Sequence, residues 1–308
     1  MSRSRTGLAF GALLAVVMAG GQGLTAYGAS PSAASIMPSS TQSIAATATS
    51  LTTTTAAVTR LSDFNKDGAT DLVARDAAGV LWLYRGNGAG GMLSRVKMGS
   101  GWNNVRMIVT PGDVTGDGNA DVIARDLAGG LWLYPGNGTS GLAARRQIGN
   151  VWNTMTAITN AANMNLAGRP DLLARDAAGV LWLYPISGNA VIGTRVKIGT
   201  GWSPYIIRGP GDLSGNGRAD ILAADTAGGL WLYRGNGTGA LAPRLLVGTG
   251  WQVMTNLVTP GNWDRAGGND LLARDAAGRL WLYPGDNANH FGLRHQIGTW
   301  LAGMTFIG

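Results

Sequence analysis

Four oxygen-bearing side chains, Asp63, Asn65, Asp67 and Asp71, stand at positions 1, 3, 5 and 9 of a short polar stretch whose sixth residue is Gly68. Oxygens at alternate positions of a tight turn converge on one point, as a hard cation such as Ca²⁺ requires. Position 12 is Ala74, so no bidentate Glu completes an EF-hand. The spacing returns at Asp113, Thr115, Asp117 and Asp121, and again at Asp212, Ser214, Asn216 and Asp220. The first two loops hold three carboxylates each and the latter two, so Ca²⁺ is expected as a cofactor in loops one and two, with loop four the weaker candidate. Loop three (Asn163, Asn165, Ala167, Asp171) and loop five (Asn262, Asp264, Ala266, Asp270) lose a ligand to Ala at position 5. The Gly and the final Asp persist in all five. The competing reading is therefore a metal-free Asx turn whose final Asp accepts backbone N–H groups. In either case the loop is stiffened and no chemistry is done.

A catalytic reading finds little to work with. All 17 acidic residues are Asp. Five end the acidic loops, six lie within them, and five more (Asp76, Asp126, Asp176, Asp225, Asp275) sit at a recurring turn. The last, Asp286, replaces the Asn of a recurring Gly-Asn-Gly. A glycosidase needs two carboxylates in distinct environments at one place, and the two histidines, His290 and His295, occur in the last unit alone. Gly86 to Gly91 fits G-x-G-x-x-G, but the strand-like MLSRVKMGSGW follows where a dinucleotide fold needs a helix. The chain is expected to be no enzyme.

What must position these loops is a repeat. Leu-Trp-Leu-Tyr starts at Leu81, Leu131, Leu181, Leu230 and Leu280, and around each copy the same parts return in order. A polar loop ending in Asp leads to an apolar run, a small turn, Leu-Trp-Leu-Tyr, a Gly-rich loop and a basic-apolar segment closing on Trp. Each unit reads as four short strands; in the first these are about 57–61, 71–75, 80–85 and 95–99. Gly79 and its equivalents supply the positive φ that closes a hairpin. Along Leu-Trp-Leu-Tyr, Leu points to one face and Trp and Tyr to the other, so both faces of the sheet are apolar and both must be covered. The expected fold is all-β: a β-propeller of five four-stranded blades, each about 50 residues long. Met304-Thr305-Phe306-Ile307 aligns with the strand before an acidic loop, so either it or residues 57–61 supplies the strand that closes the ring.

These motifs, D-x-[DN]-x-[DN]-G-x-x-D followed by D-[LV]-[LVI]-A-R-D, LWLY, GNG and GxGW, resemble the FG-GAP/VCBS repeats of secreted bacterial proteins, kin to the integrin α-subunit propeller. The resemblance implies the carbonyl of Ala69 as a further Ca²⁺ ligand, with Asn119 in the same place in loop two. Closing segments such as Lys197-Ile198-Gly199-Thr200-Gly201-Trp202 are also similar to tachylectin-type five-bladed lectins. A literal Phe-Gly occurs within the repeats only at Phe291-Gly292. The blade number therefore follows from the repeat count and not from the family.

Residues 1–29, with a basic start, an apolar run and small residues around Ala26 to Ala29, have the build of a secretory signal peptide. The run is too short to span a bilayer, so no membrane insertion is expected. Residues 30–56 are a Ser/Thr/Ala-rich linker that cannot bury enough surface to fold, and residues 57–308 form the propeller. The expected location is secreted, extracellular. With no cysteine, stability must come from packing. The formal net charge is +7, yet no basic run exceeds Arg145-Arg146, which argues against nucleic acid as a partner.

Binding is expected at repeated shallow sites. Trp82, Trp132, Trp182, Trp231 and Trp281 lie inside strands and read as packing between blades. Trp102, Trp152, Trp202, Trp251 and Trp300 close the units; they are either structural or placed to stack on a sugar ring, with Asn87, Asn137 and Asn236 as hydrogen-bonding partners. Arg95, Arg145, Arg195, Arg244 and Arg294 recur once per unit, to meet anionic polymer or to pair with the turn Asp. The expected partner is a glycan or cell-wall polymer, with an extracellular protein as the alternative and a hydrolase third.

Overall fold

The computed structural model describes residues 62–299 and 301–308. The leader, the linker, the strand expected at 57–61 and Trp300 lie outside the described residues.

The described chain forms five antiparallel four-stranded sheets, each of which is one blade. In the second blade the strands run, from the centre outward, Val105–Gly112, Asp121–Asp126, Leu131–Tyr134 and Arg146–Gly149. The third, fourth and fifth blades repeat this order from Met155–Asn160, Ile206–Gly211 and Met254–Gly261. The first blade differs: its inner strand is Met304–Ile307, paired antiparallel to Leu72–Asp76. Of the two segments able to close the ring, the C-terminal one therefore does so. Gly308 and Val73 exchange both backbone hydrogen bonds at 2.8 Å and extend the closure.

Each blade is shaped by its turn. Asp76 N–H bonds the Val80 carbonyl, Gly79 stands at φ 74°, and one oxygen of the Asp76 carboxylate accepts Val80 N–H. Its second oxygen accepts the indole N–H of Trp82 at 2.9 Å. The same pair forms between Asp126 and Trp132, Asp176 and Trp182, Asp225 and Trp231, and Asp275 and Trp281. A bulge recurs where Leu81 faces Gly99 but Trp82 faces Lys97, which twists the outer strand away from a flat edge.

Packing explains the two apolar faces. Leu81 and Leu83 are fully buried against Trp102, Val105 and Ile108 of the next blade, whereas Trp82 and Tyr84 pack in one cluster with Leu280 and Leu282 of the preceding blade and Met304 of their own. Five such clusters fill the interfaces between blades. Each leucine so buried contributes on the order of 2 kcal/mol. The interfaces thus position everything that follows. The Trp82 series is only half-buried, because its outer ring face is covered by an arginine and not by a blade: Arg95 lies 4.0 Å from the Trp82 ring, and Arg145, Arg195, Arg244 and Arg294 repeat the contact at 4.2, 4.0, 3.9 and 4.2 Å. These arginines stack on tryptophan and bond tyrosine hydroxyls; the turn aspartates hold the indole N–H instead.

Candidate functional site

Every unit ends on a segment that crosses from its outer strand to the inner strand of the next blade, and in the first four units the closing tryptophan sits there. Its backbone is fixed first. Trp102 N–H bonds the carbonyl of the turn residue Gly79 at 3.0 Å, and Trp152, Trp202 and Trp251 bond Gly129, Gly179 and Gly228 in the same way. The residue before the tryptophan is left-handed, Gly101 at φ 83° and, in the second unit, Val151 at φ 61°. Gly99 is required for a different reason: a Cβ there would stand 3.2 Å from the Trp102 indole nitrogen, and at Gly149 only 2.5 Å from that of Trp152. The recurring G-x-G-W is therefore one close approach followed by one left-handed turn.

An arginine of the A-R-D run then locks the crossing. Arg75 donates to the carbonyls of Trp102 and Val105, Arg125 to those of Trp152 and Met155, Arg175 to those of Trp202 and Tyr205, and Arg274 to those of Leu301 and Met304. Burial lowers the pKa of each of these guanidinium groups from its ordinary value. Sequence reasoning passed over this clamp, although its signal was present: Arg recurs before the turn Asp in four units and is Ala224 in the other. The clamp also shows that in the fifth unit the tryptophan slot is held by Leu301, one residue after Trp300.

The closing tryptophans are 5–8% exposed and pack on the tyrosine of the next blade's Leu-Trp-Leu-Tyr. Ring centroids lie 4.6 Å apart for Trp102 and Tyr134, 4.5 Å for Trp152 and Tyr184, 4.8 Å for Trp202 and Tyr233, and 4.6 Å for Trp251 and Tyr283. Tilted contacts at this spacing are favourable for aromatic rings. The tyrosine hydroxyl in turn accepts from an arginine, as Tyr134 does from Arg145 at 3.1 Å and Tyr184 from Arg195 at 3.4 Å. What the tryptophan offers outward is its edge. Within the described residues the indole N–H of Trp102, Trp152, Trp202 and Trp251 has no protein partner, and it is not sealed from solvent as that of the buried Trp263 is.

Open hollows lie over this Trp–Tyr–Arg arrangement. One, of about 500 Å³, is lined by Trp152, Met155, Tyr184, Ile192 and Arg195 between blades two and three. A second, of about 470 Å³, is lined by Tyr84, Leu93, Ser94, Arg95 and Met304, all of the first blade, without a closing tryptophan in its wall. Asn87, Asn137 and Asn236 line neither. They lie in the loop between the third and fourth strands of a blade, at the other end of the outer strand from the tryptophan. Their side-chain oxygens accept N–H groups of their own loops, from Ala89 and Gly91 in the case of Asn87 and from the equivalent residues in the other two.

The acidic loops occupy that same end. Asp71 is buried and accepts Phe64 N–H on one oxygen and Gly86 N–H on the other, at 2.9 and 3.1 Å. Asp121, Asp171, Asp220 and Asp270 repeat this pattern, tying the loop to the start of the Gly-rich loop. Desolvation raises the Asp71 carboxyl to about 7 and those of Asp121, Asp171 and Asp270 to about 6. The second residue of each loop, Phe64, Val114, Met164, Leu213 or Trp263, is driven into the core and anchors the turn.

The remaining loop oxygens are turned inward as well. Asp63 accepts Gly68 N–H, Asn65 accepts Asp67 N–H, and Asp67 accepts Ala69 N–H. Asp113 accepts Thr115 O–H and Gly118 N–H and faces Arg169 at 3.5 Å; Asp117 accepts Asn119 N–H. In loop four Asp212 accepts Ser214 O–H and Gly217 N–H, and Asn216 accepts Arg218 N–H. No three acidic or imidazole side chains converge on a point among the described residues. Lys66 adds a positive charge to the hollow that Asp63 and Asp113 share. In this conformation the final Asp is committed to N–H groups, and an ion held by the remaining oxygens of loops one and two would have to share or displace the loop's own donors.

Residues 63–124 match the family model described as FG-GAP-like repeat. No curated protein matches the chain in sequence. Among solved structures, the chain is similar to a lectin of Agrocybe aegerita that recognises non-reducing terminal N-acetylglucosamine, at 18% identity over 80% of this chain and 69% of that one, with a TM-score of 0.47. It is also similar to the BP39L lectin from Burkholderia pseudomallei, at 15% identity over 77% and 68% of the two chains, with the same TM-score of 0.47. A protein of unknown function from Bacteroides caccae aligns at 13% identity over 76% and 84%, with a TM-score of 0.36.

Proposed function

We propose that the protein is a secreted, non-catalytic recognition propeller that binds glycans or cell-envelope polymers in the hollows between its blades. The observation that carries this reading is the pocket of Trp152, Met155, Tyr184 and Arg195, where an indole N–H without a protein partner stands beside an apolar wall and a guanidinium. Sugars offer hydroxyls to such donors and C–H faces to such walls. Because the ring face of Trp152 is taken by Tyr184, the tryptophan works here as an edge-on donor and not as a stacking platform.

The non-catalytic part is supported by the employment of the acidic residues. The loop-ending aspartates hold backbone N–H groups, and the turn aspartates hold indoles. Ca²⁺ in loops one and two belongs to the same proposal, as an ion that would open the loop hydrogen bonds in order to bind. The deciding experiment is binding of the purified chain to an array of glycans and bacterial wall polymers, with Ca²⁺ and with a chelator. Saturable, sugar-competed binding that weakens in Trp152→Phe, which keeps the packing and removes the N–H, supports the reading. Absence of such binding by folded protein overturns it in favour of a protein partner. Equal binding with chelator removes Ca²⁺ from it.

A further inference from the structure

The five crossings are not equal, and one residue marks the difference. The position three residues after each closing tryptophan, or after Leu301 in the fifth unit, is Val105, Met155, Tyr205, Met254 or Met304. The clamp confirms the equivalence, since the carbonyls of Val105, Met155, Tyr205 and Met304 each accept from the arginine thirty residues earlier. Four of the five residues are aliphatic or Met and buried at 6–9% exposure, and Met155 and Met304 each line one of the two hollows described above. Tyr205 alone carries a ring.

That ring is held at both ends. Its centroid lies 5.8 Å from that of Trp202, and its hydroxyl accepts from Arg244 at 2.7 Å. Arg244 also reaches the hydroxyl of Tyr233, as Arg145, Arg195 and Arg294 reach the tyrosine of Leu-Trp-Leu-Tyr in their units, so Tyr205 is an added partner. Pro204 precedes Tyr205, and the crossing here is a plain turn in place of the 3₁₀ turn that follows Trp102, Trp152 and Trp251. The phenol is thus carried over the groove formed by Trp202, Tyr233 and Arg244.

We propose that Tyr205 is a built-in occupant of the pocket between blades three and four, standing where a ligand's hydroxylated ring sits in the open pockets. This rests on the reading of those pockets as ligand sites. It also names the ligand chemistry: a neutral six-membered ring, one of whose hydroxyls accepts a hydrogen bond from Arg145, Arg195 or Arg294 as the Tyr205 hydroxyl does from Arg244. With Leu301 in the tryptophan slot of the fifth crossing, three crossings remain that pair a closing tryptophan with an aliphatic residue or Met at this position, those of Trp102, Trp152 and Trp251, and the hollow at Trp152 is the pattern for all three.

The test is a count of occupied sites in crystals of the full chain soaked with methyl glycosides of glucose, galactose, mannose and N-acetylglucosamine, checked by calorimetry in solution. The parent is expected to show three occupied Trp-bearing pockets. Tyr205→Met, which installs the residue found at the equivalent position of three other units, is expected to show a fourth at Trp202, a one-third gain in stoichiometry. Tyr205→Phe keeps the ring and is expected to remain at three. A glycoside already bound at Trp202 in the parent overturns the proposal, as does an unchanged count in folded Tyr205→Met while the other pockets fill. If neither parent nor variant binds any glycoside, the reading of the pockets as glycan sites falls, and this inference falls with it.

Discussion

Replacing Arg125 by Met isolates the clamp that holds a crossing in place. Arg125 is 7% exposed, and one of its terminal nitrogens donates to the carbonyls of Trp152, at 2.9 Å, and Met155. A hydrogen bond from a charged donor contributes about 1.5–3 kcal/mol net, and two share one nitrogen here. Desolvation of the guanidinium, visible in its lowered pKa, offsets part of that gain. Met retains the packing of the aliphatic stem. The expected loss is about 2–3 kcal/mol, or roughly 5–10 °C in the thermal midpoint of a domain this size. The variant should still fold, because the fourth unit carries Ala224 at the same position and builds its blade without a clamp. Urea unfolding followed by tryptophan fluorescence gives the stability, with the slope expected to be unchanged. Arg125→Lys, a point charge on a flexible stem, should recover about half the loss at most. A loss below about 0.5 kcal/mol for Arg125→Met would refute the clamp as a source of stability.

Two further outcomes follow from the same geometry. Val151 is a β-branched residue at φ 61° and is 67% exposed, so Val151→Gly should stabilise by about 1 kcal/mol by relieving left-handed strain; an unchanged or lower urea midpoint would contradict this. The buried loop aspartates set a pH dependence whose sign is unusual for carboxylates. With Asp71 raised to about 7 and Asp121, Asp171 and Asp270 to about 6, the folded state holds more protons than the unfolded one between pH 4 and 7. Their contribution is therefore full below the ordinary carboxylate range and is lost as pH rises through 6 to 7. The turn aspartates act oppositely: Asp275, lowered to about 2, contributes above the ordinary carboxylate range and loses that contribution as pH falls. The urea midpoint should be higher at pH 5 than at pH 7.5, with the slope flattened in Asp121→Asn. A midpoint that climbs from pH 5 to 8 would contradict this.

Much of the molecule was legible in the chain because its elements are local and repeated. The hairpin turn at Gly79, the alternation in Leu-Trp-Leu-Tyr and the period of the copies depend on neighbours a few residues apart, and five instances average out accident. The final Asp of each loop was legible too, since it accepts backbone N–H groups as the Asx-turn reading expects. The site was harder to read. Tryptophan recurrence drew attention to the crossings, but one sequence cannot say that Trp152 shows only its edge. That depends on Tyr184, from the next blade. Asn87 was drawn toward the tryptophans by recurrence alone, and connectivity puts it at the other end of the strand.

By itself, then, the sequence determined the architecture: five units, four strands each, both sheet faces covered, with the turns and loop anchors written into Gly and Asp at set spacings. Tertiary structure decided which segment closes the ring, where the arginines go, which slot Leu301 fills and which pocket Tyr205 covers. The clamp and the ring closure join residues 27 to 230 apart, and their energies arise only when neighbouring blades exclude water between them. Periodicity records what each unit does within itself; the pockets belong to pairs of units.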